Sequence, residues 1–163
     1  MRNVRLFWQI FPACVGITLF AMGLSAWLAS TTGRSFYMDN LKEEIRQRGQ
    51  LITSTISRLS EGEGQVLEDF VRQSGRRAAT RITVIGGDGT VLADSDEDRA
   101  QMENHGKRPE VQPALAGETG YALRYSNTLG HNMLYCAIPV KLGPAHQQGV
   151  LRLALAVSPI EEM

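Results

Sequence analysis

From Leu6 to Gly33 the chain carries no charged residue. Within that run, Ile10 to Ala29 matches the roughly 20 apolar residues a helix needs to cross a hydrocarbon core. Trp8 and Trp27 stand near its ends, where amphipathic indole rings favour the membrane interface. Arg2 and Arg5 precede it, and basic residues stay on the cytoplasmic side. The expected layout is a cytoplasmic start over 1–8, a transmembrane helix over 9–29, and all that follows outside the cytoplasm. A cleaved signal peptide shares the positive start and apolar middle. The run is longer than a signal core, however, and Ala26-Trp27-Leu28-Ala29-Ser30 offers no clean small-x-small cleavage site. Pro12 is tolerable in the first turn of the span.

At 163 residues there is room for one small domain beside the anchor. A formal net charge of zero argues against a nucleic-acid partner, which leaves a basic footprint. Cys14 lies in the apolar run and Cys136 far beyond it, so two free thiols are expected, with Cys136 buried as a small apolar group. Their spacing fits no metal motif, and no metal site is expected.

Residues 33–76 read as leading helices. Met38, Leu41, Ile45, Arg48, Ile52, Thr55 and Leu59 recur at spacings of three and four, a seam that packs either on the chain's own sheet or on a second protomer. The second option makes Leu41, Ile45 and Ile52 a homodimer seam. Gly62 and Gly64 interrupt the helix, and a second one spans about 65–74 with Val66, Leu67, Phe70 and Val71.

After residue 80 the period becomes two. Strands 81–85 and 90–93 flank Gly86-Gly87-Asp88-Gly89, a strong hairpin signal. A polar stretch, Asp94 to Arg108, leads to a short helix between Pro109 and Gly117. Strands at 121–126, 133–141 and 149–157 complete a sheet over 80–158, with 159–163 opening an outgoing segment. The short connections imply antiparallel pairing, hence an α+β domain with a five-stranded sheet. In the last strand Leu151, Leu153, Leu155 and Val157 share one face. Arg152, Ala154 and Ala156 share the other, and small side chains beside a cation leave space for a binding concavity.

The acids Asp94, Asp96, Glu97, Asp98 and Glu103 fail the EF-hand pattern, since Arg99 stands where glycine is needed and His105 where glutamate is. Asp94, Ser95, Asn104, His105, Arg108 and Glu110 form either an internal network, with Asp94 tied to Arg108, or the edge of an anion site. In that second reading His105 and Arg108 stand at the mouth, and Tyr121, Arg124, Tyr125 and Arg152 supply the walls, arginine forks being suited to carboxylates and phosphates. No catalytic residue is expected: Ser95 has no nucleophile elbow.

The strings Thr80–Ile85, Asp88–Ser95, Met102–His105, Arg108–Val111, Arg124–Ser126 and Met133–Tyr135 resemble the extracytoplasmic sensor of two-component histidine kinases of the phosphate-regulon type, a PAS-like fold of the Cache class. The seam adds a homodimer and the arginine cluster a small anion as the ligand. The resemblance itself implies a sensor anchored in the inner membrane and facing the periplasm, which detects a ligand or a partner. It implies control of autophosphorylation and phosphotransfer to a response regulator. It also implies a kinase portion using ATP and magnesium. No phospho-acceptor helix or nucleotide loop is present, so the sequence is expected to be the sensor part of a longer protein, needing no cofactor itself. The same sensor on a chemoreceptor or cyclic-dinucleotide enzyme, or a dimerisation module without a small ligand, are the alternatives.

Overall fold

Helix α1 spans Arg2–Leu59 in the computed structural model. The model describes residues 2–62, 64–126 and 131–157, leaving aside the side chains of 2–10, 13, 29–35, 126 and 131. The chain divides into two units, 1–40 and 41–163. In the first, Phe11, Ile17, Leu19, Phe20, Met22 and Trp27 are all exposed. A helix with large apolar residues bare to this extent is made for a non-aqueous or protein environment. Among the described residues no helix is long and apolar enough to cross a membrane. The expected span at 9–29 includes residues 9, 10, 13 and 29, and the expected cytoplasmic start at 1–8 includes Arg2, Arg5 and Trp8, all outside the described side chains. The expected outgoing segment at 159–163 lies outside the described residues altogether.

The second unit is built on five antiparallel strands: β1 (Arg81–Ile85), β2 (Val91–Asp94), β3 (Gly120–Ser126), β4 (His131–Leu142) and β5 (Gln147–Ala156). Their order across the sheet is β2-β1-β5-β4-β3, so the last strand sits at the centre between β1 and β4. The β1–β2 turn forms where expected, with Gly89 at φ +85° and the Asp88 carboxylate accepting from the N–H (2.9 Å) and hydroxyl (2.9 Å) of Thr90.

Alternation divides each strand between two faces. On one, Leu134, Cys136, Ile138, Leu151 and Leu153 are buried under the 41–59 part of α1. The helix lies close because Gly49 has no side chain: a Cβ there would stand 2.5 Å from Ile138 Cδ1 and 2.7 Å from Leu153 Cδ1. Ser57 Oγ donates to the Lys141 carbonyl (2.6 Å), and Ser60 Oγ accepts from Gly143 N–H (2.9 Å), fixing the end of α1 to β4 and the β4–β5 turn. Cys136 is buried and unbridged, as expected.

The seam is corrected by this packing. Leu41 and Ile45 are buried within their own chain and Ile52 is half-buried, so the stripe faces the sheet rather than a second protomer. It runs Leu41, Ile45, Gly49, Ile52, Ile56, close to the natural 3.6-residue period, whereas the expected set of Arg48 and Thr55 follows the 3.5 period of a coiled coil.

Helix α2 (Gly64–Ala78) packs on β1 and β2, burying Leu67, Val71 and Gly75, the last directly against Ser95. The chain leaves α2 through Ala79 at φ +47°, and Thr80 N–H returns to the Gly75 carbonyl (3.2 Å), the bond of a Schellman cap. On the opposite sheet face the short helix α3 (Val111–Leu115) covers a small core of Ile85, Val111, Ala114, Ala137 and Val150.

Candidate functional site

Beside α3, on the same sheet face, the covering is incomplete. A cavity of about 890 Å³ lies between β4 and β5, the end of α2 and the loop from Asp96 to Arg108. Its floor is the small-residue face read from the sequence: Arg152, Ala154 and Ala156 of β5, joined by Met133 and Tyr135 of β4. His105, Arg108, Arg81 and Arg76 stand around it with the acids Asp96, Glu97 and Glu103.

The loop that walls the cavity is held by Asp94, which is buried and engaged on both oxygens. Thr83 Oγ1 donates to Oδ2 (2.7 Å), the backbone N–H groups of Asp96 and Glu97 donate to Oδ1 (2.9 and 3.0 Å), and Arg81 Nε reaches both oxygens (3.2 Å). The internal-network reading of Asp94 thus fits, but its cation is Arg81, not the expected Arg108. Burial opposes charge on Arg81, yet Asp94 and Glu97 outweigh it and raise its pKa. Asn104 ties the loop to the β1–β2 turn, donating to the Asp88 carbonyl (2.9 Å) and accepting from Gly106 N–H (2.9 Å). The acidic residues of the loop therefore serve largely to shape it.

His105 is buried, with Nδ1 2.7 Å from the Glu103 carbonyl. A carbonyl only accepts, so Nδ1 carries the hydrogen and a neutral ring leaves Nε2 as the acceptor. Burial, then the charge of Arg108, lowers the His105 pKa. Arg108 is bonded through its backbone to His105, Val111 and Gln112, but its guanidinium makes no hydrogen bond or ion pair among the described residues, although it lines the cavity.

Behind the floor is a buried ion cluster. Glu110, fully buried, accepts on the single oxygen Oε1 from Arg152 Nε (2.9 Å) and Arg124 Nη2 (2.7 Å). Both guanidiniums also lie 4.4 Å from the centre of the Tyr135 ring. Burial lowers the Arg152 pKa, an effect that Glu110 partly offsets. Arg152 is buried, yet among the described residues its guanidinium makes a hydrogen bond only through Nε, and the side chain lines the cavity.

His105, Arg108 and Arg152 are therefore brought together as expected, and Arg124 adjoins them through Glu110. Tyr121 and Tyr125 are not. Both alternate with Arg124 along β3, so they point to the other sheet face. Tyr121 there lies beside the Cys136 thiol and near Arg46 of α1, with burial pushing both its hydroxyl and the thiol up to about 12, and Tyr125 is 61% exposed. Tyr135, absent from the expected walls, takes the aromatic role; pairing β3 with β4 in antiparallel register was the signal that would have found it.

The model of the single Cache-like family matches residues 35–155, which include both the sheet and this cavity. The chain belongs to that family. No curated protein sequence matches the chain. Among solved structures, the E. coli DcuS sensor domain is 16% identical, with 74% of this chain and 95% of that one covered and a TM-score of 0.54. The sensor domain of the V. cholerae histidine kinase DctB is 19% identical (76% and 59% covered, TM-score 0.51). The ligand-binding domain of the Campylobacter jejuni chemoreceptor Tlp3, in complex with 4-methylisoleucine, is 13% identical (79% and 54% covered, TM-score 0.55). At these identities the likeness is one of fold, and the chain spans little more than half the length of the last two. The single Cache-like fold is thus one that other proteins use as a sensor or ligand-binding domain. The Cache class expected from the sequence strings is the right one, and in this chain the cavity lies on the α3 side of the sheet.

Proposed function

We propose that this single Cache-like domain is the extracytoplasmic sensor of a membrane-anchored signalling protein and that its cavity takes a small organic carboxylate. One observation carries the ligand class: Arg152 of the cavity floor and Arg124 behind it share one carboxylate oxygen of Glu110, leaving a net positive charge that Arg108, whose guanidinium has no ion pair among the described residues, reinforces. A buried charge without an equal partner is costly, and an entering anion relieves that cost. Met133, Ala154 and Ala156 form an apolar strip suited to a short aliphatic tail. Titration of the full chain in detergent with butyrate and with butylamine tests the reading by calorimetry. Butyrate should bind, Arg152→Gln should abolish that binding, and butylamine should not bind. The reverse preference would sink it.

The kinase role rests on the likeness to the DctB sensor and on the sequence strings, whereas the phosphate-regulon subgroup rests on the strings alone. In this reading the domain is periplasmic, the apolar first unit is its inner-membrane anchor, and a kinase portion using ATP and magnesium passes the signal to a response regulator. A homodimer would use the exposed side of α1, where Leu51 is 81% exposed. The likeness to Tlp3 favours a chemoreceptor output as the second reading. Ligand-dependent phosphorylation of a response regulator by the full-length protein separates the two.

A further inference from the structure

We propose that Glu110 is a built-in counter-anion, competing with the ligand for Arg152 and thereby setting how tightly the cavity holds an anion. This rests on the anion-binding reading of the same cavity and adds the residue that tunes it. Glu110 stands behind the floor, fully buried and not itself among the residues that line the cavity. Its Oε1 serves Arg152 and Arg124 together, while Oε2 is buried with no hydrogen-bond partner, as is Arg124 Nε. One negative charge therefore answers two positive ones, and it does so from the far side of Arg152 relative to the cavity.

A ligand carboxylate at the terminal nitrogens of Arg152 would lie about one guanidinium width, roughly 5–6 Å, from the Glu110 carboxylate. At the effective dielectric of a protein interior, a like charge at that distance weakens binding by about a hundredfold, and water and salt reaching the open cavity screen this toward about tenfold. Glu110 cannot relieve the repulsion by moving away. Its backbone is pressed against β3 at Gly120, where any Cβ would collide with the Glu110 carbonyl, and the next residue begins α3. The competition is thus fixed in the fold, and the affinity of the empty site is held below what its arginines alone would give.

The substitution Glu110→Gln isolates the charge. The amide oxygen keeps both bonds made by Oε1, and the amide nitrogen replaces Oε2, which has no partner to lose. In titrations of the full chain with butyrate at low salt, Glu110→Gln should bind about tenfold more tightly than the parent chain and lose affinity more steeply as salt is added. Equal or weaker binding by folded Glu110→Gln overturns the proposal. Arg124→Gln supplies the opposite arm: Glu110 then answers Arg152 alone, and butyrate should bind about tenfold more weakly. Parent-like affinity in folded Arg124→Gln also overturns the proposal, and this arm decides it if Glu110→Gln does not fold. If the parent binds butyrate and neither variant differs from it, the anion site stands and the counter-anion falls. If none of the three folded proteins binds butyrate, the anion reading itself falls and takes the counter-anion with it.

Discussion

Gly49 of α1 lies so near Leu153 of β5 that a Cβ at position 49 would stand 2.7 Å from the Leu153 Cδ1 atom. This contact brings the leading helix down onto the central strand of the sheet, the strand whose other face carries Arg152. Helix and cavity are thus separated by a single layer of backbone, and a shift of β5 on ligand binding would be felt by α1.

That contact gives the first prediction. Gly49→Val forces branched carbons into Ile138 and Leu153 and should destabilise the domain by about 1–3 kcal/mol, the usual cost of overpacking a close-packed core. Ile45→Ala, on the same stripe, should cost about 2–5 kcal/mol. Leu51→Ala, at an exposed position, should leave stability nearly unchanged. Chemical denaturation monitored by circular dichroism ranks the three. A fully stable, monomeric Ile45→Ala would contradict burial against the chain's own sheet.

The second prediction concerns the exit from α2. Ala79 occupies the left-handed region at φ +47°, which costs a residue with a Cβ roughly 1–2 kcal/mol. Glycine removes that cost but enlarges the unfolded ensemble by roughly 0.5–1 kcal/mol. Ala79→Gly should therefore raise stability by about 0.5–1 kcal/mol, keeping the Thr80–Gly75 bond of the cap. A lower unfolding midpoint in Ala79→Gly would refute the cap geometry.

The third prediction follows from His105. Its folded pKa is lowered from the ordinary 6.5 by burial and by Arg108, so the unfolded chain takes up a proton first as pH falls. Stability is fully present above 6.5 and declines as pH drops from there toward the folded value. Glu43, held near 2 by Arg46 and Gln47, and Asp88, lowered by its bonds from Thr90, contribute only in a separate, more acidic window. The thermal midpoint of the parent should fall between about pH 7 and 5, and that of His105→Asn should change less over this range. Parallel pH profiles for the two proteins would remove His105 as the cause.

The elements were legible because their signals are local. A period of two with glycine-rich turns marks strands, and the β1–β2 hairpin lies where Gly86 to Gly89 put it. The cavity floor was legible for the same reason, since Arg152, Ala154 and Ala156 share a face by simple alternation. Two errors came from not applying that rule further. Tyr121 and Tyr125 alternate with Arg124 and so could never join it on one face, and the α1 stripe drifts with the true helical period from Leu41 through Gly49 to Ile56. The choice of Arg81 over Arg108 as the partner of Asp94 was not legible. It depends on the register shift between Val84 and Ile85 that sets Thr83 opposite Asp94, an irregularity inside the hairpin that the turn residues do not encode.

The last prediction uses those two faces to test the site. The Arg108 guanidinium lines the cavity with no hydrogen bond or ion pair among the described residues, so Arg108→Gln should weaken butyrate binding while leaving thermal stability close to that of the parent. A charge-assisted hydrogen bond contributes about 1.5–3 kcal/mol, which corresponds to a loss of affinity of roughly ten- to a hundredfold. Tyr125→Ala, on the opposite sheet face and 61% exposed, should bind butyrate as the parent does. Arg152→Gln should lose both binding and stability, because Glu110 is left with a weaker partner inside the protein. Calorimetric titration with thermal unfolding of the same three variants separates these outcomes. Weaker binding in Tyr125→Ala with full binding in Arg108→Gln would move the ligand to the α1 side of the sheet and away from the cavity beside α3.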